Sequence, residues 1–229
     1  MTIDPSNIVY FEWGFVRITA TLVFTWVTMV VLVSISFLVT RNLTADIRIS
    51  KGQSMLEAII VAINDQIRQV SQQEPGQYLP FIGTIFLFIL TSVLLSIVPG
   101  YIAPTGSLNT TIALALCVFF AVPFYGISAL GLKGYMKQFV KPTLIMLPFN
   151  IISEFSRALS LAVRLYGNIM SSTIIIAILL TVIPLFFPVV MQLLGLLTGV
   201  IQAYIFAILA IVYIASATKK PDPEENEDR

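Results

Sequence analysis

The stretch from Pro142 to Ile183 constrains this chain more than any other. It is almost continuously apolar, yet it carries Glu154, Arg157 and Arg164. Read as one helix at 1.5 Å per residue it would be roughly 60 Å long. A bilayer core measures only about 30 Å. Such a helix must bend or lie steeply tilted, and Pro148 can break only its first turns. Ionisable groups at membrane depth cost several kcal/mol and face protein or water-filled space. Here they share a stripe. Glu154 and Arg157 are three apart, Arg157 and Arg164 seven apart, and Ser160, Asn168 and Ser171 fall close to the same line. The result is one polar seam on an apolar rod.

The remaining composition agrees with a membrane setting. Of 229 residues, 57% are hydrophobic and 11% charged, against about 25% charged in soluble domains. A net charge of +1 gives nucleic-acid binding no electrostatic support. The lone Cys117 excludes an internal disulfide and reads as a small buried hydrophobe. With no histidine, ordinary zinc and haem sites lack their usual ligand. No Gly-rich nucleotide loop, zinc motif or internal repeat occurs. No cofactor is expected.

Along the chain, apolar runs lie at 18–39, 78–98, 108–130, 142–183 and 189–217. The first is too long for a signal-peptide core, with Trp13 and Phe15 as interfacial aromatics before it. Between the first two runs, Met55, Ile59, Ile63, Ile67 and Val70 recur at helical spacing among polar residues. That predicts an amphipathic interfacial helix over 54–70, with Ser54 and Glu57 as a capping box. Pro123 is a candidate kink. Arg41, Arg48 and Lys51, and then Lys133, Lys137 and Lys141, mark cytoplasmic loops. The expectation is an all-α integral membrane protein with about four transmembrane helices plus one interfacial amphipathic helix. The last two helices form a long, strongly tilted hairpin. The N-terminus lies outside and the C-terminus in the cytoplasm. Residues 1–218 form a single membrane domain, and 219–229 a charged, disordered tail.

The segment Leu147-Pro-Phe-Asn-Ile-Ile-Ser-Glu-Phe-Ser-Arg-Ala-Leu-Ser-Leu-Ala-Val-Arg-Leu-Tyr-Gly-Asn168 resembles the signature of subunit a of the F-type ATP synthase, the membrane stator beside the c-ring. Its core is Arg164 to Asn168. A second block, Gln202-Ala-Tyr-Ile-Phe followed by Tyr213, resembles that family's last helix. The resemblance implies a hairpin packed against a c-ring, with a b-type peripheral stalk, other ATP synthase subunits and lipid as further partners. It implies a prokaryotic plasma membrane and a non-catalytic role, the ATP chemistry lying on other subunits. It also implies two offset half-channels. Arg164 would force each ring carboxylate to release its ion and block a direct leak, so that ion flow turns the ring. Gln202 matches the position facing that arginine.

Other residues carry two readings. Arg157 and Glu154 shape the cytoplasmic half-channel or form a structural ion pair. Asn168 is functional or contacts a neighbouring helix. Ser171, Ser172 and Thr173 line a path or are small residues for close packing. Tyr213 reads as an interfacial aromatic. The departures from the family pattern are informative. Proton-driven relatives carry an acid or histidine where this chain has Thr173, and a partner where it has Gly195. Ser96 replaces a further acid, and Ala158 a proline. Hydroxyl and amide oxygens can solvate a hard cation. The chain is therefore expected to couple Na⁺, as in the variant sodium-translocating (N-type) lineage, with H⁺ as the alternative. A stand-alone secondary transporter would show inverted repeats and broken helices, which are not seen. A non-catalytic assembly scaffold would not need the polar seam.

Overall fold

The computed structural model describes residues 9–13, 16–41, 51–71, 75–98, 100–140, 146–183 and 186–218. Six α-helices make up nearly all of the described chain: α1 Ala20–Thr40, α2 Lys51–Ser71, α3 Leu79–Leu95, α4 Leu108–Val140, α5 Met146–Val182 and α6 Phe187–Thr218. A small antiparallel hairpin precedes them, β1 Val9–Trp13 and β2 Val16–Thr19, with Trp13 opposite Val16 and Glu12 opposite Arg17. Trp13, expected as an interfacial aromatic at the start of the first span, ends β1. Phe15, Arg48, Lys141 and the 219–229 tail lie outside the described residues.

The all-α membrane class holds. Among the described residues, four helices are long and apolar enough to cross a bilayer, namely α1, α4, α5 and α6. Helix α3 is apolar but only 17 residues, about 26 Å. Termini on opposite faces need an odd number of crossings, so the expected topology requires α3 as a fifth span. α2 starts at Lys51, which puts Ser54 inside the helix and removes it as a cap. α4 continues well past residue 130. Its backbone stays helical through Pro123 and breaks at Gly131, where φ is 73°. An L side chain disfavours that φ and glycine does not. Lys133, expected in a loop, is therefore on the helical piece beyond the break. Cys117 is exposed on the outer surface of α4, not buried.

The core is where α3, α4 and α5 meet α6. Phe206, Ile82, Ile89, Leu161 and Leu165 are essentially inaccessible there. Ala203, Ala207 and Ala210 give α6 a buried small-residue stripe, which lets membrane helices approach closely. At Gly199 the approach is so tight that a Cβ would stand 2.7 Å from Val93 Cγ1. α1 stays at the edge, with Trp26, Val30, Val33 and Phe37 all exposed.

Candidate functional site

α5 is 37 residues long, about 56 Å, and each part of its seam meets a different neighbour. Near its N-terminal end, Arg157 Nη1 lies 3.3 Å from Glu154 Oε1. The same guanidinium sits over the Tyr213 ring of α6, 5.4 Å from its centroid. So the ion pair, one of the two readings of Glu154 and Arg157, is present, and the Tyr213 ring lies against it. These side chains are only partly buried. They edge a cavity of about 210 Å³ together with Tyr135, Asn150, Ser153 and Ser216.

Tyr135 reaches this cavity because of the break at Gly131. Beyond it the chain brings the Tyr135 ring against Gly126, where a Cβ would come within 2.6 Å of the ring. Only glycine leaves that space free. Tyr135 was not legible as a site residue, since its placement depends on one backbone torsion.

Farther along α5, a second cavity of about 250 Å³ opens among Ser96, Tyr101, Ser172, Thr173, Gln192 and Gly195. Three of the positions singled out by their departure from the proton-driven pattern, Ser96, Thr173 and Gly195, therefore share one space. No side chain lining it is charged. Gly195 is packed against α5, and a Cβ there would lie 3.1 Å from Ser172 Cβ. Tyr101 and Gln192 were missed from sequence. Tyr101 hydrogen-bonds Thr28 at 2.6 Å across 73 residues of chain, and Gln192 Nε2 donates to the Ser96 carbonyl at 3.2 Å across 96. Burial pushes the Tyr101 phenol above its ordinary value, opposed by hydrogen bonds with Thr28 and Ser92.

Arg164 lies between the two cavities on the same helix. It is exposed, and among the described residues it has no carboxylate partner and no hydrogen bond. Apolar Leu159 and Val163, both more than half exposed, flank it. The first cavity ends at Arg157 on α5 and the second begins at Ile169, an axial gap of about 18 Å. At about 100° per residue, the second cavity's α5 residues are centred roughly a third of a turn from the first's. The cavities are offset both along the helix and around it.

The antiparallel register places Gln202. Gly195 meets Ser172 and Tyr213 meets Arg157. Gln202, between those crossings, comes opposite 165–168, the turn beside Arg164 that includes half-buried Asn168. Gln202 is 6% exposed, and its Nε2 has no hydrogen-bond partner among the described residues. A buried amide without a partner costs about 1–3 kcal/mol. The fold tolerates that cost at a position the sequence already marks. Ser171 is exposed and Ser172 half-buried. Thr173 donates its hydroxyl proton to the Ile169 carbonyl at 2.9 Å.

Chemically, the arrangement consists of two uncharged or charge-balanced polar cavities separated by a fixed, unpaired cation on an otherwise apolar surface. No cluster of three or more acidic, cysteine or histidine side chains occurs among the described residues. Comparison with known proteins gives a consistent result. The family model described as ATP synthase A chain matches residues 22–215. A protein of Acaryochloris marina named ATP synthase subunit a 2 is 59% identical over 96% of this chain and 94% of its own length. One of Albidiferax ferrireducens named ATP synthase subunit a is 56% identical over 99% of both chains. One of Prosthecochloris aestuarii named ATP synthase subunit a 1 is 55% identical over 97% of this chain and all of its own.

Proposed function

The chain belongs to the ATP synthase A chain family, and from that premise we propose that it is a Na⁺-translocating stator with Arg164 as the coupling group. As a family member it is a multi-pass membrane subunit of an ATP synthase complex, and the ATP chemistry belongs to other subunits. The finer reading concerns the ion and its path. The two offset cavities serve as half-channels, one edged by Glu154 and Arg157, the other by Ser172 and Thr173. Asn168 and Gln202 line the passage beside Arg164.

One observation carries this reading: Arg164 is exposed and unpaired between the cavities. An arginine stays charged at any working pH, and in lipid it needs a counter-charge. The described residues supply none, and a partner would. A rotor ring of subunits, each with an ion-binding carboxylate, meets that need. A carboxylate arriving at Arg164 is favoured in its ionised form and gives up its ion. The same guanidinium repels a free cation and closes the direct route between cavities. Ions then cross only with the rotor. A b-type stalk and the other subunits hold the stator still. The basic loops support an outer N-terminus and a cytoplasmic C-terminus in a prokaryotic plasma membrane.

Na⁺ rather than H⁺ is favoured because the Ser172–Thr173 cavity offers hydroxyl and amide oxygens and no carboxylate or imidazole among its lining residues. The purified complex in liposomes tests this. ATP-driven ²²Na⁺ uptake should persist or rise with a protonophore and disappear in Arg164→Ala with the complex still assembled. Uptake abolished by the protonophore would assign the transport to protons. Unimpaired coupled transport in Arg164→Ala would remove the arginine from the mechanism.

A further inference from the structure

Four polar residues of the Ser172–Thr173 cavity, Ser96, Tyr101, Thr173 and Gln192, share a property beyond being polar. A hydroxyl has one proton to donate and lone pairs to accept with. Where the proton is spent elsewhere, the group offers its surroundings acceptors only. Ser96 Oγ donates to the Val93 carbonyl at 2.6 Å. Thr173 Oγ1 donates to the Ile169 carbonyl at 2.9 Å. Gln192 turns its amide nitrogen to the Ser96 carbonyl at 3.2 Å, which leaves the carboxamide oxygen uncommitted.

Tyr101 is fixed by a longer chain. Thr28 Oγ1 donates to the Phe24 carbonyl at 2.7 Å. Its only proton is thereby used, so in the 2.6 Å contact with Tyr101 it accepts and the phenol donates. The phenol proton points to the α1 side, Ser92 engages one lone pair of the phenol oxygen, and the other lone pair is left. Thr28 is fully buried, and a Phe24–Tyr101 edge contact at 5.2 Å holds the ring. Four residues, Ser96 and Tyr101 from the segment after α3, Thr173 from α5 and Gln192 from α6, thus bring oxygen acceptors to the lining of one space of about 250 Å³.

We propose that this cavity is a transient cation-binding site, in which the oxygens of Ser96, Tyr101, Thr173 and Gln192 replace part of the hydration shell of a Na⁺-sized ion. The proposal rests on the Na⁺-stator reading and adds to it a defined stop on the path. Neutral oxygen dipoles suffice for a site that an ion must also leave, as in channels lined by carbonyls. The same arrangement is a poor proton relay. A relaying hydroxyl must accept on one side and donate on the other, and here the Ser96 and Thr173 protons are held by helix carbonyls and the Tyr101 proton by Thr28. Gly195 contributes by absence, since a side chain there would meet Ser172 and fill the space.

The test uses the whole complex in liposomes with the catalytic sector outward, making ATP from a luminal Na⁺ gradient. In that direction Na⁺ enters through the proposed site. Tyr101→Phe removes one oxygen and keeps the ring. It should raise the luminal Na⁺ needed for half-maximal synthesis about five- to tenfold, which is about 1–1.4 kcal/mol for one lost ion–oxygen contact. Half-saturation from the catalytic side, measured as ATP-driven uptake, should stay within about twofold, because that direction is loaded from the other cavity. Thr173→Val should give the same one-sided shift, which keeps the test open if the tyrosine variant does not assemble. Thr28→Val lies outside the cavity but frees the phenol proton, and should shift the same constant the same way.

Variants that leave luminal half-saturation unchanged, in a complex that is Na⁺-driven, would overturn the site and leave the Na⁺ reading standing. Equal shifts from both sides would also overturn it, since that signals a packing role. A wild-type complex that makes ATP from a pH gradient without Na⁺ would overturn both.

Discussion

The Arg157 guanidinium lies over the ring of Tyr213, 5.4 Å from its centre, while Glu154 holds it from within its own helix. That contact ties the N-terminal part of α5 to the C-terminal part of α6. Ring and charge contribute about 0.5–2 kcal/mol in such a geometry. Tyr213→Phe should therefore be close to wild type, whereas Tyr213→Leu should lower the thermal midpoint of the purified complex by a few degrees. A leucine variant as stable as the parent would show that the ion pair alone positions Arg157.

Gly195 and Ser172 should behave as a pair. Gly195→Ala places a Cβ where Ser172 Cβ already stands 3.1 Å away. Overpacking of this kind costs about 1–3 kcal/mol. Ser172→Gly alone loses about 0.5 kcal/mol of helix propensity. Combined, the two should be better tolerated than their sum. A double-mutant cycle on complex stability should give a favourable coupling of about 1 kcal/mol or more, as expected of contacting residues. Strict additivity would mean the helices separate freely there.

Gly199 makes a similar demand against α3. A Cβ would meet Val93 Cγ1 at 2.7 Å, and a β-branched side chain has little rotamer freedom with which to yield. Gly199→Ala should reduce assembled complex in membranes, and Val93→Ala in the same chain should restore much of it. Failure of that rescue would place the obstruction elsewhere on α3.

Gln202 should set stability against transport. Its buried Nε2 lacks a partner, so Gln202→Leu removes an unmet donor whose burial costs about 1–3 kcal/mol. The expected outcome is a thermal midpoint equal to or above wild type together with impaired ATP-driven ion uptake. Loss of both would make Gln202 a packing residue; normal uptake would take it off the path.

Arg164→Lys keeps a charge but loses the planar fork that grips a carboxylate at two points. Passive ion leak should stay low, since a cation still stands between the cavities, while ATP-driven uptake falls by about tenfold or more, roughly the 1.4 kcal/mol of one weakened contact. Leak rising to the level of Arg164→Ala would show that charge alone is not the barrier.

The sequence made the helices and the seam legible because both depend on local periodicity. The length of α5, the Glu154–Arg157 pair and the close approach of α5 and α6 could be read from apolar runs, three-residue spacing and small residues. The second wall of each cavity could not. Tyr101 meets Thr28 across 73 positions and Gln192 meets Ser96 across 96, and no window along the chain contains both partners. The break at Gly131 went unread because glycine permits a positive φ without requiring one. Pro123 drew the expected kink instead, although a membrane helix can run through a proline when its neighbours satisfy the freed carbonyl. The burial expected for Cys117 failed for a related reason. In lipid an apolar residue need not face the core.

The exposure of Arg164 also bears on how such a subunit is made. Alone in a bilayer, the chain would present an unpaired guanidinium to hydrocarbon from a helix flanked by Leu159 and Val163, both more than half exposed. Translocon-scale costs for a central arginine are about 2.5–3.5 kcal/mol. In the coupling mechanism proposed above, that cost lasts from insertion until a carboxylate-bearing rotor covers the face. Synthesis in step with its rotor, or a temporary escort across that face, would shorten the wait.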